Sequence, residues 1–113
     1  MSGYTYLSSP YTHPDPAVRE QRFQAVCRAA AKLMEKGECV FAPICHSHPI
    51  DVAGDLPKTV EFWKQQDIPL LRHASKLAML MLDGWQASQG MKWEYKMALE
   101  INIPVAWIKP EQL

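Results

Sequence analysis

The uninterrupted apolar run Leu77–Leu82 constrains this chain more than any other stretch. At six residues it is far too short to cross a membrane and has the length of a strand buried on both faces. Asp83-Gly84 breaks the run, and Ser88-Gln89-Gly90 opens the next segment. There Met91, Tyr95, Ala98 and Leu99 recur at i, i+4, i+7 and i+8, the period of a helix that lays one face on a sheet. Asn102 can stop that helix, and Pro104–Ile108 resumes as a strand. The stretch therefore reads as strand, helix, strand. In open α/β sheets, ligands bind beyond the carboxyl ends of the strands, beside the amino ends of the helices. Asp83, Ser88, Gly90 and Glu94 are thereby expected in one small region.

The remainder of the chain repeats the alternation. Tyr4–Ser8 suits a first strand, ended by the polar turn Ser8-Ser9-Pro10-Tyr11. Asp15 then fits an N-cap and Pro16 the first helical position, predicting a helix to about Lys36 with Gly37 just beyond it. Phe23, Val26, Cys27, Ala30, Leu33 and Met34 form its buried stripe. Glu38–Ala42 reads as a short second strand, stopped by Pro43. Ile44–Leu56 shows neither a helical nor a strand period and is expected as a long loop, of the kind that often carries function. Lys58–Leu71 reads as an amphipathic helix interrupted near Pro69. Such alternation implies a parallel sheet with right-handed crossovers. We expect a single domain over residues 1–113, a small Rossmann- or flavodoxin-like three-layer α/β fold with four to five parallel strands.

Composition narrows the class of partner. Twelve basic residues balance twelve acidic ones without a run of either sign, which favours neither a nucleic-acid polymer nor a membrane surface. No stretch approaches the ~20 apolar residues of a membrane span, and the amino-terminal residues resemble no secretory signal. The three cysteines show no CxxC spacing, so free thiols in a cytoplasmic protein are expected.

Four features could carry chemistry, each with a structural explanation beside it. Glu94 near a helix start complements the macrodipole; it also lies near the buried stripe, three residues after Met91. A helix amino end would keep it ionised, and an oriented carboxylate can attack a sugar carbon as an oxocarbenium-like transition state develops. Ser88 serves as an N-cap; with Gly90 and free amides it also makes a phosphate site, to which Ser8 and Ser9 could add hydroxyls. Asp83 belongs to an ordinary Asp-Gly turn, or else orients a sugar hydroxyl or exchanges a proton with a leaving base. Cys45, His46 and His48 are metal-ligand types without a completing pair, and histidines lining a substrate pocket, His46 among them, are the preferred alternative. No metal or cofactor is called for.

Two motifs resemble a known family. "TYLSSPY" is similar to the "YLAGPY" opening of the nucleoside 2-deoxyribosyltransferase superfamily. "LDGWQASQGMKWEYKMALEINIPV" resembles its second motif, a strand ending in Asp-Gly, a Ser-x-Gly-x-x-x-Glu helix and a closing "PV" strand. The resemblance implies that Glu94 is the nucleophile accepting the deoxyribosyl group, that Tyr6 orients it, and that Asp83 lies near base and sugar. It gives Ser88 to a phosphate site, and with it Ser8, Ser9, Pro10 and Gly90 are expected to bind substrate. Ser88 stands where the transferases have aspartate and the 2′-deoxynucleoside 5′-monophosphate N-hydrolases have serine. The chain thus resembles the nucleotide-hydrolase branch, and still more a group of small bacterial proteins with a "GW..S.G...E" signature.

These observations favour cleavage or transfer at the N-glycosidic bond of a nucleoside or nucleoside 5′-monophosphate. A nucleotide-binding module without catalysis is the second reading and a metal-dependent hydrolase the third. A chain this short has shallow walls around a sheet-edge cleft, so a homo-oligomer, dimer or tetramer, is expected to complete them. The contact is assigned to Pro43–Leu56 and Phe62-Trp63.

Overall fold

A computed structural model describes residues 3–113. Met1 and Ser2, part of the domain expected over 1–113, lie outside the described residues. The strands are β1 (Thr5–Ser8), β2 (Val40–Phe41), β3 (Lys76–Leu80) and β4 (Val105–Ile108). The helices are α1 (Pro16–Glu35), α2 (Pro43–Gly54), α3 (Val60–Arg72) and α4 (Gln89–Ile101), and the turn Trp85–Ala87 is 3-10. The four strands form one sheet in the order β2-β1-β3-β4, every pair parallel. This is the α/β arrangement that the alternation of elements predicts.

Local chemistry sets the helix ends. The Asp15 carboxylate accepts from the Ala17 amide at 2.9 Å, with Pro16 at the first helical position. At the other end Gly37, at φ 94°, lets its own amide reach the Met34 carbonyl while the Glu38 amide reaches Leu33. Asn102 does the same for α4 at φ 62°.

Pleating then sorts β1 between two cores. Leu7 points toward α1, where Val26, Ala29, Ala30 and Leu33 pack with Ala78 and Leu80. Tyr6 points the other way, into Leu71, Leu77, Met79, Met91 and Ala98 of α3, β3 and α4. Tyr6 pairs with Leu77 and Ser8 with Met79 across the β1–β3 ladder, so Tyr6 and Ser8 share that second face.

Several expectations need correction. Ile44–Leu56 is not a loop, since Pro43–Gly54 is a helix. Its buried positions are Pro43, His48 and Asp51, and a polar buried face leaves no apolar period to read. Met34 is 54% exposed and stands outside the α1 stripe. The third strand ends at Leu80 rather than Leu82, because the Leu82 amide turns back to the Leu80 carbonyl. The second strand is only Val40–Phe41, shorter than Glu38–Ala42. No helix among the described residues is long and apolar enough to cross a membrane.

Candidate active site

The carboxyl ends of the strands open onto a cavity of about 390 Å³, within the range of small-molecule sites. Glu94 reaches it because α4 starts at Gln89 and places Met91, Glu94 and Ala98 on its buried side. Its carboxyl lies over β1, where Ser8 Oγ donates to Oε1 at 2.6 Å and the Tyr6 hydroxyl donates to Oε2. Both carboxylate oxygens are therefore oriented by side chains two residues apart on one strand.

Burial dominates the charge state of this group. Glu94 is 6% exposed, and loss of solvent pushes its pKa up to about 7. The hydroxyls of Ser8 and Tyr6 pull the value down, while the charge of Asp67 pushes it further up. The expectation that a helix amino end keeps Glu94 ionised is thus corrected: Glu94 sits in the second turn of α4, and desolvation prevails. Tyr6 is raised well above the usual phenol range, by burial first and by Glu94 next, so it stays a proton donor. Asp67 lines the same cavity from α3, and burial raises it to about 6.

One wall of the cavity is rich in donors. Ser88 caps α4, taking the Met91 amide on Oγ and the Lys92 amide on its carbonyl, each at 3.2 Å. The amides of Gln89 and Gly90, both at the wall, remain without a partner among the described residues. Arg22 crosses from α1 to this wall, donating to the carbonyls of Thr12 at 3.0 Å and Asp83 at 3.4 Å. Gly84 makes room for it: a Cβ there would lie 2.5 Å from Arg22 Nη2, and its φ of +90° already disfavours a side chain. Ser9 also lines the cavity, and its Oγ is buried without a hydrogen-bond partner among the described residues.

The opposite wall comes from α2 and the loop after β1. His48, 6% exposed, bonds Tyr11 Oη through Nδ1 at 2.6 Å and Glu20 Oε1 through Nε2 at 2.9 Å. Phe23 stacks on its ring at 4.3 Å. Asp51, 5% exposed, takes the Lys58 ammonium at 2.8 Å and the Leu56 amide at 2.9 Å on Oδ1.

Of the residues singled out in the sequence, Ser8, Ser9, Ser88, Gly90 and Glu94 line one cavity, with Tyr6 behind Glu94. Pro10 is buried but is not among the lining residues. Asp83 is exposed and contributes no side chain to the cavity, offering only its carbonyl to Arg22. His46 is exposed and faces an adjoining cavity of about 160 Å³. Cys45 Sγ lies 3.0 Å from Cys27 Sγ, and burial lifts its thiol to about 12. Cys45, His46 and His48 thus enter three different surroundings, and no group of three or more metal-ligand side chains converges among the described residues. Trp63 faces the cavity from α3 rather than a flat outer surface, and Phe62 packs edge-on against it at 5.0 Å.

The residues alone gave no site role to Asp67, Arg22, Trp93, Tyr11 and Asp51, and assigned Trp63 to a subunit contact rather than to the cavity. For Asp67 a signal exists: Val60, Trp63 and Asp67 follow i, i+3, i+7, which sets a carboxylate on the apolar face of α3. No curated protein matches the chain. A family model described as a domain of unknown function, DUF1937, matches residues 3–109, and this chain belongs to that family.

Proposed function

We propose that this protein cleaves or transfers at the N-glycosidic bond of a nucleoside 5′-monophosphate, with Glu94 as nucleophile. One observation carries the reading: a buried carboxyl held on both oxygens by Tyr6 and Ser8, at a cavity whose neighbouring wall offers free amides and a guanidinium. Ionised Glu94 attacks C1′ of the sugar as the bond from C1′ to the base nitrogen breaks and its electron pair leaves with the base. Asp67 gives the leaving base its proton. Water, or a second base, then attacks C1′ and releases Glu94, and the incoming proton passes to Asp67. With Glu94 raised to about 7 and Asp67 to about 6, a single shared proton rests mainly on Glu94, and the reacting form, with Asp67 protonated and Glu94 ionised, is the minor one-proton state. The amides of Gln89 and Gly90, Arg22, Ser88 and Ser9 provide for the 5′-phosphate. Trp63 and Trp93 offer flat apolar surface to a base. The motif resemblance to the nucleotide N-hydrolase branch supports the same assignment.

Chromatography of deoxynucleoside monophosphates incubated with the protein tests this directly. Free base should form, and Glu94→Gln should lower its rate by several powers of ten. Equal turnover by that variant would remove Glu94 from the chemistry. Nucleotide binding with no base release by either protein would favour the non-catalytic module instead. We extend the proposal to a homo-oligomer, supported by the exposed Ile50 and Val52 of α2, at 47% and 69%. Light scattering across a dilution series reads it, and a one-chain mass with activity intact contradicts it.

A further inference from the structure

The two walls of the cavity differ in hydrogen-bond character. The α4 wall, as described, is made of donors. On the α2 wall, beside the Ser47 hydroxyl, Tyr11 and Asp51 present acceptor oxygens, and for Tyr11 the reason lies behind it, in Glu20. That carboxylate is exposed and held below its ordinary range by its bonds to Gln24 and His48, so it can only accept. The His48 Nε2 that faces it at 2.9 Å must carry a proton. In the neutral imidazole Nδ1 is then the acceptor, and the Tyr11 hydroxyl spends its only proton on it at 2.6 Å. The stacked Phe23 ring fixes the imidazole plane. Tyr11 has no donor left for the cavity. Arg19 donates to the His13 carbonyl and also bonds the Tyr11 hydroxyl, taking part of its acceptor capacity from outside the cavity.

Asp51 adds to this character. Its Oδ1 is committed to Lys58 and to the Leu56 amide. Its Oδ2 has no partner, yet is not among the buried atoms sealed from solvent without one, a condition met only by Ser9 Oγ among the described residues. Asp51, 5% exposed, thus lines the cavity while carrying an oxygen without a partner among the described residues. Topology sets the two walls apart: α2 follows β2, α4 follows β3, and these strands flank β1 on opposite sides. Glu94, bonded to two β1 side chains, lies between them.

We infer that the α2 wall, through Asp51 and Tyr11, selects a base bearing an exocyclic amino group over one presenting a carbonyl there. This rests on the nucleotide reading above and names its substrate class. A buried acceptor facing a carbonyl is left unpaired, and sites built to bond one group reject analogues lacking it.

The test measures binding by titration calorimetry to Glu94→Gln protein, which suppresses turnover. The matched probes are the 5′-monophosphates of deoxycytidine against deoxyuridine, and of deoxyadenosine against deoxyinosine. In each pair the amino member should bind about tenfold tighter or more. Tyr11→Phe and Asp51→Asn, each added to that protein, should narrow the ratio. Asp51 also anchors Lys58, so a melting curve checks that its variant folds, and Tyr11→Phe carries the test if it does not. Nitrogen-15 NMR at about pH 8 should find His48 protonated on Nε2. Equal affinity within both pairs, or a proton on Nδ1, overturns this inference alone. Binding of none of the four nucleotides overturns it together with the function on which it rests.

Discussion

The two faces of β1 differ as much as any two regions of this molecule. On the α1 side, Leu7 enters a closed hydrocarbon cluster with Val26, Leu33 and Leu80. On the α4 side, Tyr6 and Ser8 hold a carboxyl that burial has raised to about 7. A single strand supplies both because successive side chains point to opposite faces. Both faces bury an apolar core, but the α4 side also keeps an acid from water, which costs free energy wherever that acid is ionised. We read the α1 face as the support that lets the buried acid persist.

Breaking the apolar face should cost most. Leu33, 4% exposed and remote from the cavity, packs among Val26, Ala29 and Ala30. Leu33→Ala should lower unfolding free energy by about 2–5 kcal/mol, as cavity-forming core substitutions do, while base release per folded molecule stays unchanged. Urea titration and activity on the folded fraction read both. A large fall in activity without loss of stability would erase the division between the faces.

The polar face should show its cost through pH. The folded pKa of Glu94, about 7, exceeds its ordinary 4.5, so the folded state binds the proton more tightly than the unfolded state. The stabilising contribution is complete below about 4.5 and is lost as pH rises through about 7. The loss should be on the order of 3 kcal/mol across that interval. Glu94→Gln cannot titrate and should flatten this part of the stability profile. Parallel profiles for the two proteins would show that Glu94 is not the group responsible.

Smaller again is the cap of α4. Ser88→Ala should cost about 1 kcal/mol of stability from the lost bond to the Met91 amide. On the proposed function it should weaken monophosphates well beyond nucleosides. Equal loss for both ligands would leave Ser88 as a cap alone.

The same contrast explains what could be read from the residues. Where burial is apolar the pattern is plain, as at Leu77–Leu82 and in the α1 stripe through Val26, Ala30 and Leu33. Capping chemistry at Asp15, Ser88 and Asn102 is equally local and equally legible. Helix α2 was hidden because its inward positions, His48 and Asp51, are polar and serve the cavity. Asp67 was hidden behind Asp83: an acid directly after a strand suggests a site, but the turn at Gly84 leaves Asp83 exposed while α3 carries Asp67 inward. The charge state of Glu94 depends on how completely the fold excludes water, which no spacing of residues records.

The central claim is that Glu94 forms a bond to the sugar. A 2′-fluoro-substituted nucleotide, whose electron-withdrawing fluorine destabilises the oxocarbenium-like state and slows breakdown of the intermediate, should leave the glycosyl group on the protein. Intact-protein mass spectrometry should then show one added sugar phosphate, and peptide mapping should locate it at Glu94. Base release from the natural nucleotide with no adduct from the fluorinated one, or an adduct on another residue, would contradict the account.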